Sequence, residues 1–142
     1  MSIRILLAGS HVAIWEGLSR FLQGQADLEI VGQARDGRTA VELTRRLVPD
    51  IVLMDIEMPT LDGLDALREI HREQRGVRII FLSSHTAAPY VWQTLKAGAS
   101  GCLPEDCDYQ TLLAAIRAVA DGGTYVDPDM NYRPQENQTQ GT

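Results

Sequence analysis

The stretch that decides the fold is DIVLMDIEMPTLDGLDAL, residues 50–67. An aliphatic run from Ile51 to Met54 ends on an acid, Asp55, and a helical pattern begins after a short turn. Short aliphatic runs without polar alternation are typical of strands that are buried on both faces of a parallel sheet. We therefore predict a strand, a turn and a helix here, with Asp55 at the carboxyl end of the strand.

The same alternation of strand and helix extends along the chain. Five strand-like runs are each followed by a helical pattern, and they cover Ile3–Ala8, Leu28–Ala34, Ile51–Met54, Arg78–Leu82 and Gly101–Leu103. Apolar residues recur at the helical period, in the first helix at Ile14, Leu18, Phe21 and Leu22. Strict alternation implies right-handed crossovers. The predicted class is α/β: a five-stranded parallel sheet, doubly wound (βα)5 and flavodoxin-like, with strand order 2-1-3-4-5. The site is expected where strands 1 and 3 end.

Composition limits the classes of function that the chain can have. Its 142 residues and 44% hydrophobic content fit one folded domain, predicted over residues 1–126, with 127–142 as a polar linker or disordered tail. A net charge of -6 argues against direct contact with nucleic acid. No apolar run is long enough to span a membrane, and no signal peptide is evident, so we expect a cytoplasmic protein. Cys102 and Cys107 are expected to be reduced thiols.

Asp55 by itself is open to two interpretations. A carboxylate at a strand end can be a nucleophile that forms an acyl phosphate, or it can simply be a turn or capping acid. Four stretches in order then carry a resemblance: DIVLMDIEMPTLDGLDAL, RIIFLSSH, LKAGASGCL and LLAAIRAVADGGTYV. Over residues 3–126 the chain resembles the receiver domain of bacterial two-component response regulators. SHVAIWEGL, residues 10–18, looks most like the NarL/FixJ subfamily, whose members carry a C-terminal helix-turn-helix domain.

The resemblance assigns roles to single positions of this sequence. Asp55 matches the phosphoacceptor, and Ser83 matches the hydroxyl that binds the phosphoryl oxygen. The pair of metal-binding acids falls on Gly9 and Ser10. The charge-neutralising lysine falls on Glu105, and the aromatic residue that reports activation falls on Cys102. We expect no catalytic residue, and four of the positions that the family uses are degenerate.

These departures predict a dismantled phosphorylation site. Phosphoryl transfer depends on positioning and on charge neutralisation, and Mg²⁺ prefers several hard oxygen ligands. We therefore expect no metal site and no cofactor, with Mg²⁺ binding weakly or not at all. Lys96, the only lysine, is expected to lie away from the site in the fourth helix. Restoring Gly9→Asp with Ser10→Asp is expected to return metal affinity first, whereas Glu105→Lys alone is not.

The predicted function is that of an atypical receiver that controls a helix-turn-helix transcription factor without Mg²⁺-dependent phosphorylation, and it is not an enzyme. The partners implied are a second copy in a homodimer, the chain's own C-terminal DNA-binding domain beyond Thr142, and a histidine kinase. The faces that receivers use for dimers carry Trp15, Tyr90 and Trp92 here. Large aromatic residues of this kind are enriched in interfaces.

Two alternatives stay open. One is a receiver that is still weakly phosphorylated, with Asp55 accepting the phosphoryl group from a cognate histidine kinase. The other is a small cofactor-binding or phosphatase domain on the same fold. Against the latter, Gly9–His11 is a short loop for cradling a phosphate, and Glu57 stands where such phosphatases have a second Asp.

Overall fold

The computed structural model describes residues 2–84 and 91–127 of the chain. Its strands are β1 Ile3–Ala8, β2 Leu28–Ala34, β3 Ile51–Asp55, β4 Arg78–Ser83, β5 Gly101–Pro104 and β6 Tyr125–Val126. Its helices are α1 Val12–Gln23, α2 Gly37–Leu47, α3 Gly63–Glu73, α4 Val91–Lys96 and α5 Tyr109–Ala120. Every neighbouring pair of strands is parallel, in the order β2-β1-β3-β4-β5-β6.

The predicted α/β class and the order of the first five strands are confirmed. The prediction of five strands was wrong, because Tyr125 and Val126 add a sixth strand beside β5. Two residues are too few to give a periodic signal, and their pairing depends on β5 rather than on their own sequence. The third, fourth and fifth strands also run one residue beyond their predicted ends, so that Asp55 and Ser83 belong to the strands themselves.

The core lies on both faces of the sheet, as the doubly wound class requires. Successive strand residues point to opposite faces. Leu6, Val52 and Ile79 belong to the cluster on the side of α2 and α3, together with Val41 and Leu67. The other cluster lies on the side of α1 and α5, and its members include Ile5, Leu53, Ile80, Leu18 and Leu112.

Helix α1 faces the core with a different residue from the one predicted. Ile14 is 38% exposed, whereas its neighbour Trp15 is only 5% exposed and joins Leu18 and Leu22 in the core. The prediction followed Ile14, Leu18 and Leu22 at spacings of four residues, but Trp15, three residues before Leu18, fits the same helical period. Trp15 was predicted to lie at a partner surface, and the structure corrects this, since the indole is in the interior.

A side-chain cap fixes the start of α5. Asp108 accepts a hydrogen bond from the backbone N–H of Thr111 at 2.7 Å. We expect Asp108→Ala to lower the free energy of unfolding by about 1 kcal/mol, because an N–H at the helix start loses its acceptor. Asp106→Ala, two residues earlier in the exposed turn, is the matched control. Equal losses for both variants in urea unfolding would contradict the capping role.

The predicted linker or tail over 127–142 lies outside the described residues apart from Asp127, and so does Tyr90. Within residues 2–84 and 91–127, no helix is long and apolar enough to cross a membrane.

Candidate functional site

The predicted site residues meet at one edge of the sheet. Because the strands are parallel, their carboxyl ends lie side by side. Asp55 ends β3 and Ser83 ends β4, with Asp55 opposite Leu82 in the register. Gly9 follows β1, and Glu105 follows β5. The structure therefore brings these four predicted positions to the same edge of the sheet.

Asp55 is almost completely buried, with 4% of its surface exposed. Its Oδ2 atom accepts a hydrogen bond from Nε1 of Trp15 at 3.1 Å. Its Oδ1 atom is also buried and has no hydrogen-bond partner among the residues that the structure describes. A carboxylate in this position carries a desolvation cost that a single hydrogen bond offsets only in part.

This environment raises the pKa of Asp55 to about 6. Burial is the largest cause, because it disfavours the charged form. The negative charge of Glu105 also raises the pKa. The hydrogen bond from Trp15 lowers it, and so do the weaker effects of His11 and of the Ser10 amide. The charges that act on Asp55 thus do not include a lysine, and Lys96 lies exposed at the end of α4.

The indole of Trp15 fills the space above Gly9. A Cβ atom added to Gly9 would lie 1.8 Å from Nε1 and 2.1 Å from Cε2 of Trp15. No side chain fits at position 9 while the indole stays there. This contact was not predicted from the sequence. Its only signal was a glycine directly after β1 with a tryptophan one helical turn into α1.

Ser83 lies at the carboxyl end of β4, and its hydroxyl donates to a neighbouring backbone carbonyl. Its side chain is buried, and Oγ donates to the backbone carbonyl of Ser84 at 3.0 Å. The hydroxyl of Ser84 donates in turn to Glu57 at 3.3 Å. Glu57 is therefore engaged with the loop after β4.

Glu105 and Cys102, the two positions near β5 that were predicted to be degenerate, differ in character. The backbone N–H of Glu105 donates to the carbonyl of Ser83 at 3.0 Å, and its carboxylate acts on Asp55 through charge alone. Cys102 is fully buried, and burial, with a smaller effect of Asp127, raises the pKa of its thiol to about 12. Cys102 is thus a neutral, small core residue where an aromatic residue was the family's expectation.

The donor set at this edge does not match the needs of Mg²⁺. Asp55 supplies one carboxylate, and one of its oxygens is already bound by the indole. Asp62 is committed to capping α3, where Oδ1 accepts from the N–H of Asp65 at 2.9 Å. Among the described residues, no group of three or more His, Cys, Asp or Glu side chains could hold a metal ion. Proteins usually hold Mg²⁺ through one or two carboxylates, with waters completing the octahedron, and at this edge the indole already occupies one oxygen of Asp55.

The raised pKa of Asp55 predicts a pH-dependent stability. The folded state holds the proton more tightly than the unfolded state, whose Asp pKa is near 3.8. The contribution of Asp55 is therefore full below that value and is lost as the pH rises through about 6. Between pH 4 and 7, we expect the unmodified chain to lose up to about 3 kcal/mol of unfolding free energy relative to Asp55→Asn.

Urea unfolding of both proteins at the two pH values measures this difference. Asp106→Asn, which removes an exposed carboxylate, is the control. A difference between the unmodified chain and Asp55→Asn that stays constant with pH would contradict the burial of a titrating carboxyl.

Comparisons with known proteins agree with the fold. The model of the response regulator receiver domain matches residues 5–117. The transcriptional regulatory protein DegU of Brevibacillus brevis is 37% identical over 130 residues, which cover 92% of this chain and 55% of DegU. The response regulator UvrY of Escherichia coli K12 is 37% identical over 128 residues, 90% of this chain and 59% of UvrY. The chain thus spans less than two thirds of the length of these relatives.

Solved structures show the same likeness. A LuxR-family two-component response regulator from Aurantimonas sp. SI85-9A1 has a TM-score of 0.87 and 29% identity, over 98% of this chain and 99% of the other. The signal receiver domain of NarL from Mycobacterium tuberculosis has a TM-score of 0.81 and 30% identity, over 85% of this chain and 98% of that domain.

Proposed function

The chain belongs to the response regulator receiver domain family, and from this premise we propose that it is a regulatory domain that works without Mg²⁺-dependent phosphorylation of Asp55. It keeps the fold and the acceptor aspartate of the family. In place of a metal ion, it holds Asp55 with a tryptophan. We also propose that it catalyses no reaction of its own.

The contact of Trp15 with Gly9 and Asp55 carries this proposal. Gly9 stands at one of the two positions where the family keeps metal-binding acids. A side chain at position 9 would overlap the indole, since its Cβ would lie 1.8 Å from Nε1. The indole also takes up Oδ2 of Asp55. The space and one carboxylate oxygen that a metal site needs are therefore both used by Trp15.

Electrostatics supports the same conclusion. Glu105 already raises the pKa of Asp55 through its negative charge. A phosphoryl group on Asp55 would add a second source of negative charge beside Glu105, with no lysine to balance it. Both the transfer and the acyl phosphate product are disfavoured.

The output that this domain controls is proposed to be transcription. DegU, to which the chain is similar, is a transcriptional regulatory protein, and the chain covers 55% of it. We propose a C-terminal helix-turn-helix domain as the remaining part, a homodimer as the working form and the cytoplasm as the location. A histidine kinase is the partner in the alternative, a receiver that is still weakly phosphorylated at Asp55. This domain itself makes no nucleic-acid contact in this proposal. Of the aromatic residues considered for the dimer, Trp15 lies in the interior, Tyr90 lies outside the described residues, and Trp92 in α4 is half-buried.

Labelling with a phosphodonor tests the proposed function. The unmodified chain is incubated with acetyl phosphate and MgCl₂, and incorporation is measured by intact mass, with Asp55→Asn as the control. We expect no incorporation in either protein. A Mg²⁺-dependent adduct in the unmodified chain that is missing from Asp55→Asn would support the weakly phosphorylated receiver instead.

A further inference from the structure

The contact between Trp15 and Asp55 ties the end of β3 to helix α1. Both partners are buried, and Nε1 lies 3.1 Å from Oδ2. Loosening this bond leaves a buried N–H and a second buried carboxylate oxygen without partners. Hydrogen bonds to a charged acceptor are stronger than those to a neutral one. The hold on α1 therefore depends on the charge of the Asp55 side chain.

Helix α1 is packed closely against α5. The rings of Phe21 and Tyr109 stack with their centroids 4.7 Å apart. A Cβ atom at Gly17 would lie 2.9 Å from the hydroxyl oxygen of Tyr109. In a close-packed contact of this kind, a shift of one helix displaces the side chains of the other. Tyr109 is 41% exposed, so a displacement there reaches the surface.

The first turn of α1 is exposed as well. Val12 and Ile14 are large apolar residues that are 40% and 38% exposed. Both precede the inward-facing Trp15 in the first turn of the same helix. The backbone N–H of Trp15 donates to the carbonyl of His11 at 3.1 Å, so the indole is anchored to this turn. If the indole moves, the turn of α1 that exposes Val12 and Ile14 therefore moves with it.

We propose that Trp15 is a coupling residue that transmits a change of charge at Asp55 to the surface formed by α1 and Tyr109. Loss of the negative charge of Asp55 weakens its hydrogen bond with the indole and releases the first turn of α1. Cys102 offers no comparable route on β5, because it is small and fully buried. The inference rests on the proposed function, since it assigns to Trp15 the contact with Asp55 that a metal ion would otherwise make.

Amide and indole resonances of the ¹⁵N-labelled full chain test this coupling. The chain has two tryptophans, so Trp15→Phe assigns the indole signals and Trp92 serves as the internal reference. In Asp55→Asn, which removes the charge and keeps the shape, we expect the Trp15 indole N–H to move upfield. The amides of Val12, Ile14 and Tyr109 are expected to move with it, while the Trp92 indole stays in place.

Two controls separate coupling from a general electrostatic effect. Glu105→Gln removes a nearby charge that does not bind the indole, and we expect it to leave the Tyr109 amide in place. In the Trp15→Phe background, Asp55→Asn is also expected to leave Tyr109 unmoved. An equal displacement of Tyr109 with and without the indole, or none in either background, overturns the coupling. If Trp15→Phe does not fold, the comparison of Asp55→Asn with Glu105→Gln decides, and equal displacements of Tyr109 overturn the coupling.

The same samples distinguish the coupling from the proposed function. Phosphodonor labelling of Asp55 in the unmodified chain would overturn the proposed function and leave the coupling intact. An unmoved Tyr109 in Asp55→Asn would overturn the coupling, whatever the labelling shows.

Discussion

A chain with Gly9→Asp and Ser10→Asp is expected to remain unable to bind Mg²⁺ until Trp15 is made smaller as well. From the sequence, the two acids were expected to restore metal affinity first, and the space above Gly9 leads to a different prediction. The Cβ of a new side chain at position 9 would lie 1.8 Å from Nε1 of Trp15. The indole must leave before a carboxylate can take its place.

Combining Trp15→Leu with the two new acids is expected to restore low-millimolar Mg²⁺ binding. Leucine keeps an apolar group among Leu18 and Leu22, and the acids supply the missing oxygen ligands. Adding Glu105→Lys removes the remaining repulsion, and this fourfold variant is expected to be labelled at Asp55 by acetyl phosphate.

Calorimetric titration with MgCl₂ and phosphodonor labelling measure these steps. The matched control replaces Trp15→Leu by Trp92→Leu, which changes the other tryptophan and leaves the space above Gly9 filled. The control is expected neither to bind Mg²⁺ nor to be labelled at Asp55 by acetyl phosphate. Magnesium affinity in Gly9→Asp with Ser10→Asp alone would show that the indole moves aside without a large cost.

The second large effect is on stability. Trp15→Ala is expected to lower the free energy of unfolding by about 3–5 kcal/mol, because it leaves a cavity where a buried indole packed. The loss of the indole N–H also leaves Asp55 without its one hydrogen bond at Oδ2, which adds about 1–3 kcal/mol. Against a typical total of about 5–15 kcal/mol, this loss brings the domain close to unfolding.

Urea unfolding of three variants separates these two contributions. Trp15→Phe keeps most of the ring and loses the donor, so its loss is expected to be smaller than that of Trp15→Ala. Trp92→Ala, at a half-buried position in α4, is expected to lose the least. If Trp15→Ala costs no more than Trp92→Ala, the indole is not the central packing element of this edge.

Much of the fold follows from local sequence. The aliphatic runs before Asp55 and Ser83 placed these residues at the carboxyl edge of the sheet, because strands buried on both faces are recognisable from composition. The strand at Tyr125 could not be found in this way. It is two residues long, and its position is set by pairing with Gly101 and Cys102.

The sequence predicted which positions of the site differ from the family, but it did not predict how the side chains are arranged there. The sequence showed that Gly9 and Ser10 could not bind a metal as two acids do. Which side chain fills the space depends on how α1 rotates over the sheet, and the sequence had placed Ile14 rather than Trp15 on the inward face of α1. The choice is made by tertiary contact, since only a glycine at position 9 leaves room for the indole. The partner of the Ser83 hydroxyl, a local carbonyl, was beyond sequence reasoning for the same reason.

The most direct test is a magnesium titration of the unmodified chain, followed through the backbone amide of Asp55 and the indole N–H of Trp15. If the indole holds Asp55 where a metal ion would otherwise bind, neither resonance shifts saturably up to low-millimolar MgCl₂, and Asp55→Asn behaves identically. A saturable shift of both resonances that is lost in Asp55→Asn would show that Mg²⁺ displaces the indole from Asp55, and the central claim would be wrong.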